Sequence, residues 1–413
     1  MRIFPPFSDV DMSIVKIKKG TLKGEITPPQ SKSIAHRAII CAALADCIAP
    51  EIRDYSQDII ATEKGIDAII SGLSTVDCGD SASTLRFLIP LAAALGRNVS
   101  FNISPSLKKR LNGEYGRLLS LHGAKCEYSG ELTVSVSGKL TSGSFELDGD
   151  ISSQYVSGLL LALPLLDGDS EIILKTKLES KPYADLTIEV MRDFGVEINK
   201  TDYGYFVKGN QHYIPCDYKI EGDWSQAAFF LAGGALCGDV TLKGLNLNSS
   251  QGDKEIINIL RRFGADITLG DDSVRVKKSA LKGISVNVSD IPDLAPVIAV
   301  LGTQAGGETV ITGGKRLRLK ESDRISSLAE NLKKAGVNVT QTPDGIIIYP
   351  SKIKSAELMG FNDHRIVMAM SILSLISDGE MTVTSAESIN KSYPSFFEDF
   401  CALGGKADVI CNR

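Results

Sequence analysis

Several charged side chains of this sequence stand where helix physics disfavours them. Lys32, Arg37, Arg86, His364 and Arg365, together with Gln154 and Asp293, fall within about one turn of the expected N-termini of strongly apolar helical segments. At such an end the dipole is positive and the first N–H groups lack partners, so an anion is favoured there and a guanidinium has the wrong sign. Capping alone explains a serine or an aspartate. It does not explain an arginine unless something negative is bound beside it. If these helices share a direction the residues converge, and the chemistry implied is the holding of small, densely anionic molecules.

The elements that must position them repeat along the chain. Strongly apolar helices are expected after polar caps at Ser33, Ser83, Ser153, Ser225, Asp293 and Asp363, running over Ile34 to Leu44, Leu85 to Leu95, Tyr155 to Leu166, Ala227 to Leu236, Leu294 to Leu301 and Ile366 to Ile376. Amphipathic helical segments alternate with them. These end in an apolar residue and a glycine, at Gly123, Gly195, Gly264, Gly336 and Gly404, and each then runs into a β-like stretch. Both series recur at about 70 residues, except that the first step of the apolar series is about 50. Helices apolar all round belong inside and the one-faced ones outside, so each repeat reads as an inner helix, an outer helix and short strands. Six units, three to each half, are expected.

Length and composition agree with this arrangement. A chain of 413 residues predicts two domains of roughly 200 residues each. With 43% hydrophobic and 23% charged residues it has the make-up of a globular α/β protein and not of a disordered or fibrous one. The net charge of −5 argues against a nucleic-acid partner, so an anion site must be a local cluster. The longest apolar runs, Tyr155 to Leu166 and Ile366 to Ile376, are too short to span a membrane, and Met1 to Ser13 lacks a basic run followed by an apolar stretch. A cytoplasmic protein is expected. Eight cysteines (41, 47, 78, 126, 216, 237, 401, 411) form no CxxC pair, so buried free thiols are expected and no metal site is.

Six motifs in register carry a family resemblance. Ser31-Lys32-Ser33 with Arg37, Asp80 to Arg86, Ser152-Ser153-Gln154, Ser180-Lys181-Pro182-Tyr183, Lys320 to Arg324 and Asn362 to Arg365 together resemble 5-enolpyruvylshikimate-3-phosphate synthase, in order from about Val15 to Phe397. The resemblance implies a two-domain enolpyruvyl transferase fold of six βαβαββ repeats around buried helices. It implies one discontinuous domain, 1–30 with 221–413, and a second, 31–220, with crossings near Gln30 and near Tyr218 to Glu221 and the active site in the cleft between them. A monomer is expected. The implied reaction moves the enolpyruvyl group of phosphoenolpyruvate onto the 5-hydroxyl of 3-phosphoshikimate and releases phosphate, with no cofactor and no metal.

Site residues follow from the resemblance position by position. For 3-phosphoshikimate they are Lys32, Ser33, Arg37, Ser152, Ser153, Gln154, Ser180, Tyr183, Asp293 and Lys320, with Ser33 and Arg37 on the carboxylate and Ser152, Ser153 and Ser180 cradling the phosphate. For phosphoenolpyruvate they are Lys32, Ala82, Arg110, Gln154, Arg324, Arg365 and Lys391. Catalysis is assigned to Asp293 as base for the hydroxyl, Glu321 as acid for the methylene carbon, and Lys32. His364 is expected to orient Glu321 or to pack beside Arg365. The sequence departs from the family pattern in three places: Leu111 where proline is usual, Arg316 where some members have asparagine, and Ala82 where glycine is widespread. The last implies low sensitivity to glyphosate, a longer molecule than phosphoenolpyruvate that inhibits many members at the same site. Two alternatives are open. A related transferase acting on UDP-N-acetylglucosamine would lack the Ser31-Lys32-Ser33 and Lys320 to Arg324 signatures; a non-catalytic anion-binding protein would have no need of Asp293, Glu321, Lys32 and Lys391 together.

Overall fold

The computed structural model describes residues 13–411; the reading of Met1 to Ser13 lies almost wholly outside them. In chain order the helices are α1 (Lys32–Leu44), α2 (Gln57–Ile70), α3 (Ala82–Ala94), α4 (Pro105–Lys108), α5 (Glu114–Ser120), α6 (Ser153–Ala162) and α7 (Lys181–Asp193). They continue with α8 (Trp224–Cys237), α9 (Ile256–Phe263), α10 (Ala295–Gly302), α11 (Arg324–Lys334), α12 (His364–Ser374) and α13 (Phe396–Ala402). The six apolar helices α1, α3, α6, α8, α10 and α12 are the interior ones, as their composition requires. In α8 every residue from Trp224 to Leu236 is buried. Truncating Phe229 or Phe230 there would cost about 3–5 kcal/mol, because the surrounding helices could not collapse into the space.

The glycine series ends the outer helices. Gly123, Gly195, Gly264, Gly336 and Gly404 all have φ between 79° and 94°, the left-handed turn that releases the chain from helix to strand. At Gly195 a Cβ would also lie 2.6 Å from Cδ1 of Ile214. A sixth such turn closes α2, where Gly72 has φ 78°. It belongs to the short first unit and has no apolar residue directly before it.

Five four-stranded sheets accompany these helices among the described residues. Each holds one parallel and two antiparallel pairings, as in Ser144–Leu147, Ser170–Leu174, Gly204–Val207 and Ile198–Thr201. The first unit differs from the expectation of six complete repeats: α1 and α2 are present, but no sheet of its own accompanies them. That shortfall is why its repeat is shorter by about 20 residues, the length of a few strands and turns. The N-terminal strands complete sheets built from the far end of the chain. Ser13–Lys18 lies between Met381–Thr384 and Lys406–Cys411, and Lys23–Ile26 pairs in parallel with Asp239–Lys243.

Buried apolar side chains gather into two separate clusters, one from Val15 to Leu22 with Trp224 to Leu403, the other from Ile34 to Ile220. Two chain segments join them side by side: Gln30 bridges Gly222, Ser31 N–H donates to Glu221 O at 2.8 Å, and Asp223 N–H donates to Pro29 O at 2.9 Å. All eight cysteines are free thiols, but only Cys41 and Cys78 are buried, and Cys401 and Cys411 are exposed, so the expectation of uniformly buried thiols was too broad. No described helix is long and apolar enough to cross a membrane.

Candidate active site

The helix caps lie one or two residues before the expected positions in four of the inner helices. Ser31, Ser81, Ser152 and Asp223 are the caps, in extended backbone, with side chains accepting from the N–H groups of Ile34, Thr84, Gln154, and Ser225 with Gln226. Asp363 caps α12 as expected. Asp293 caps nothing: it lies in the 3-10 turn Pro292–Leu294 that leads into α10. The local sequences offer serine twice, as Ser31-Lys32-Ser33 and Ser81-Ala82-Ser83, and only the first of each pair has the extended backbone from which a side chain reaches back to the first turn. Ser33, Ser83 and Ser153 are thereby left free of capping, and all three border one cleft.

That cleft has a volume of about 230 Å³ and is lined from both clusters. Every site residue expected from sequence lines it except Lys391, which stands directly behind: its Nζ pairs with Asp80 Oδ2 at 2.8 Å, and its carbonyl is 3.4 Å from Lys32 Nζ. Buried polar atoms without partners surround the space, among them Nη1 of Arg365, Nε of Arg86 and Arg110, and both ring nitrogens of His364. A cavity bordered by so many unmet donors is built to be filled by something polar.

On one side the cations meet carboxylates. Arg324 Nη1 lies 2.9 Å from Asp293 Oδ1, its Nη2 2.7 Å from Glu321 Oε2 and its Nε 2.8 Å from Asp363 Oδ2. Arg365 Nη2 is 2.9 Å from Asp293 Oδ2, Lys320 Nζ 3.7 Å from Asp293 Oδ1, and Arg110 Nη2 3.4 Å from Glu321 Oε1. Burial pushes the Asp293 carboxyl up, but Arg365, Lys320 and Arg324 together hold it well below the usual range. Glu321 behaves alike: Arg110 and Arg324, with Lys320, overcome its burial and keep it well below the usual range. An acid for the methylene carbon would need the opposite shift, so among these cations Glu321 is a carboxylate. Burial brings Lys320 down to about 8 against the pull of Asp293. His364 makes no hydrogen bond to Glu321, and burial with Lys32 and Arg365 nearby keeps its ring neutral.

On the other side the partners of the arginines Arg37 and Arg86 are neutral. Arg37, 3% exposed, donates from Nε to Thr187 Oγ1 (2.7 Å), from Nη1 to Ser33 O (2.5 Å), and from Nη2 to Ser157 Oγ (3.2 Å) and Tyr183 O (2.9 Å), with no carboxylate near. Burial lowers its pKa to about 10. A guanidinium has five N–H donors, so the two-bond carboxylate clamp expected from sequence is not open here: one N–H of Arg37 remains. Arg86 fixes Gln154, donating from Nη1 to its Oε1 at 2.5 Å while Gln154 Nε2 donates to Ser83 Oγ at 2.8 Å. Pro90 within α3 leaves Arg86 O without its usual i+4 donor, and Tyr115 Oη supplies one at 2.6 Å. Lys32 Nζ is not free but pairs with Asp58 Oδ2 at 2.7 Å.

Sequence reasoning missed four residues. Asp58 and Asp80 are the counter-ions of Lys32 and Lys391, each from a segment distant in sequence. Buried Asp253 accepts from Tyr183 Oη at 2.9 Å, while Asp293 Oδ2 lies 3.3 Å from the same hydroxyl. Burial and the Asp293 charge raise Asp253 to about 7. His36 Nδ1 starts a buried hydroxyl chain through Thr62 (2.6 Å) and Thr84 (2.6 Å) to the cap Ser81 (2.7 Å). Only the Gln251-Gly252-Asp253 turn offered a local signal, a carboxylate beside a glycine next to an apolar helix.

Repeat-built α/β lobes around a cation-rich cleft define a protein that holds small polyanions between two lobes. The family described as EPSP synthase (3-phosphoshikimate 1-carboxyvinyltransferase) matches residues 17–400. The 3-phosphoshikimate 1-carboxyvinyltransferase of Clostridium novyi (strain NT) is 40% identical over 429 residues, covering 96% of this chain and 99% of that one. An EPSP synthase structure from Acinetobacter baumannii superposes with a TM-score of 0.80 at 26% identity, covering 97% of this chain and 100% of that chain. The enolpyruvyl transferase NikO from Streptomyces tendae, 15% identical, shares the fold with a TM-score of 0.78 over 98% of this chain and 100% of its own. The chain belongs to the EPSP synthase family.

Proposed function

We propose that this chain transfers the enolpyruvyl group of phosphoenolpyruvate to the 5-hydroxyl of 3-phosphoshikimate, giving 5-enolpyruvylshikimate 3-phosphate and phosphate on the shikimate route to chorismate and the aromatic amino acids. The observation that carries it is the gathering of the family's motif residues, scattered from Lys32 to Arg365, around one cleft. The fold is taken as two domains, 1–30 with 221–413 and 31–220, closing on the substrates.

The acceptor is held by Lys32, Ser33, the last free N–H of Arg37, Ser152, Ser153, Gln154, Ser180, Tyr183 and Lys320. The donor is held by Lys32, Ala82, Arg110, Gln154, Arg324, Arg365 and Lys391. Asp293, ionised and beside Lys320, takes the proton of the attacking hydroxyl as its oxygen bonds to the central carbon of phosphoenolpyruvate. A proton is delivered to the methylene carbon in the same addition. Elimination then removes a proton from the new methyl group and breaks the bond to phosphate. Glu321 is the donor once its environment changes: a phosphate and a carboxylate set against Arg110 and Arg324 offset the cations that hold it ionised, and its pKa rises. The test is phosphate release from phosphoenolpyruvate with and without 3-phosphoshikimate. Release only with both supports the reading, and release without the acceptor, or none, overturns it. The reading also has the protein acting as a cytoplasmic monomer, which light scattering after size-exclusion chromatography and cell fractionation test.

A further inference from the structure

We propose that Asp253 is a positioning residue for the base of the reaction: through the Tyr183 hydroxyl, which stands between the two carboxylates, it decides whether Asp293 accepts a hydrogen bond or is left bare to take a proton. The inference rests on the function proposed above, in which Asp293 is that base, and adds a residue that function does not use.

The three groups come from both halves of the chain. Tyr183 lies in the first turn of α7, Asp253 in the 3-10 turn Gly252–Glu255 and Asp293 in the turn before α10. The segments that carry Tyr183 and Asp253 touch, since a Cβ on Gly252 would lie 2.9 Å from Cβ of Pro182. Tyr183 Oη is 2.9 Å from Asp253 Oδ2 and 3.3 Å from Asp293 Oδ2. A phenol has one proton, and burial beside two carboxylates pushes the Tyr183 pKa well above its ordinary value, so that proton stays. It serves one carboxylate at a time.

What separates the two carboxylates is their other partners. Asp293 has Arg324, Arg365 and Lys320, whereas Asp253, 5% exposed, has no ion pair among the described residues and its Oδ1 meets no donor. A proton shared by the pair therefore settles on Asp253, which burial and the Asp293 charge raise to about 7. The charged groups facing it are Asp293, Arg365 of α12, which opposes the rise, and Asp223 before α8; Lys254 of its own turn is directed away, onto Leu247 O at 3.2 Å.

Two states follow. With Asp253 protonated, its O–H donates to Tyr183 Oη and the phenol proton passes to Asp293 Oδ2, engaging the base. With Asp253 ionised, the phenol proton goes to the nearer Asp253, and Asp293 keeps its electron pair beside a second negative charge that makes it more basic. The base needs that help, because Arg365, Lys320 and Arg324 hold it well below the usual carboxylate range against its burial. The pH sets the state of Asp253 before turnover, and the proton removed from the acceptor still ends on Asp293.

The competing role is structural, with Asp253 only tying Tyr183 to the opposite half. The dependence of kcat/KM for 3-phosphoshikimate on pH, from about 5 to 9, separates the two in wild type, Asp253→Asn and Tyr183→Phe, with thermal melts at each pH checking that every variant is folded. Wild type should show an acid limb near pH 7, the rate falling as Asp253 takes up its proton. Asp253→Asn is neutral throughout and still donates to Tyr183, so it should lose this limb and keep about one-tenth of the wild-type maximum, the effect of about one pKa unit on the base. A limb owed to the substrate phosphates, near pH 6, remains in both. Tyr183→Phe removes the donor that favours ionised Asp253 and should move the limb to higher pH, whatever it costs in acceptor binding. The proposal is overturned if Asp253→Asn lowers the rate alike at every pH and keeps the limb, or if Tyr183→Phe leaves the limb in place. A wild-type protein that releases no phosphate overturns the functional reading and this proposal with it; an active wild type whose limb survives in Asp253→Asn overturns this proposal alone.

Discussion

Arg37 and Arg324 are both buried arginines bordering one cleft, and their surroundings are opposite. Arg324 touches Asp293, Glu321 and Asp363, while Arg37 touches hydroxyls and carbonyls. The contrast extends to the walls they belong to. The wall from residues 31–220 offers serines, Gln154 and the arginines Arg37 and Arg86, with Lys32 on Asp58, whereas the wall from 221–411 presents Asp293 and Glu321 among Lys320, Arg324 and Arg365, with Asp363 buried behind Arg324. Arginines held only by neutral acceptors, as Arg37 and Arg86 are, keep their charge for an anion. A wall of interlocked ion pairs holds carboxylates ionised and at fixed distances, ready to exchange protons once an anion disturbs the balance.

The largest effect that tests this contrast is on stability. Arg324→Gln leaves the fully buried Asp363 without its cation and takes one of several from Asp293 and from Glu321, and should cost about 3–5 kcal/mol. Arg37→Gln strands no carboxylate and should cost about 1–3 kcal/mol, the worth of its lost hydrogen bonds. Denaturant midpoints measure both, and equal losses would erase the distinction between the walls. The acid limb adds a check. Asp293 and Glu321 have folded pKa values held below their unfolded ones, so the stability they contribute is present above the ordinary carboxylate range and lost as pH falls through their folded values. Without Arg324 that loss should begin at higher pH.

Lys32 sits where the walls meet. Its Nζ pairs with Asp58 of its own wall and approaches the Lys391 carbonyl of the other, and its N–H donates to Asp223 Oδ2 at 3.0 Å. Lys32→Ala should lower kcat/KM about 10²- to 10³-fold, as expected for a cation acting on both polyanions in a site that excludes water. Asp58→Asn removes only its counter-ion and should cost far less. Initial-rate kinetics decide, and near wild-type turnover by Lys32→Ala would remove it from the site.

The Ala82 methyl tests how closely the binding wall fits its ligand. Ala82 is the first residue of α3, 4% exposed, and borders the cleft. A methyl that phosphoenolpyruvate barely meets can collide with the longer glyphosate, and such overpacking costs about 1–3 kcal/mol. Ala82→Gly should therefore become more sensitive to glyphosate with KM for phosphoenolpyruvate nearly unchanged. Equal inhibition of both proteins would show that the methyl does not face the ligand.

What could be read from sequence and what could not divide along physical lines. Arginines at helix N-termini carry their own signal, since they violate the dipole, and Arg86 and Arg365 do line the cleft. The glycine turns were legible because a left-handed residue leaves few choices, and the short first repeat already marked the unit that has no sheet. Cap register was not legible, because Ser31 and Ser33 are equivalent until backbone geometry selects one. Nor were the partners of charges, which depend on contacts between distant segments: Asp80 with Lys391, and Glu179 with Arg316. The direction of the Glu321 shift belongs with these, being the resultant of burial and several cations.

The smallest effect is confined to alkaline pH and concerns Lys320, the paired wall's cation with the least secure charge. Burial lowers its pKa to about 8, with Asp293 3.7 Å away opposing the shift and Arg324 and Arg316 assisting it. Below that pH Lys320 is an ammonium beside the base, available to the acceptor; above it the charge is lost. Because kcat/KM reports the free enzyme, kcat/KM for 3-phosphoshikimate should fall on an alkaline limb near pH 8, by at most about tenfold per pH unit. Lys320→Arg keeps its charge throughout and should lower kcat/KM overall, since a planar fork replaces a point charge, while removing the limb. Rates measured from pH 6 to pH 10 distinguish the outcomes. A limb that persists unchanged in Lys320→Arg belongs to another group and would leave Lys320 as a permanently charged member of the ion-paired wall.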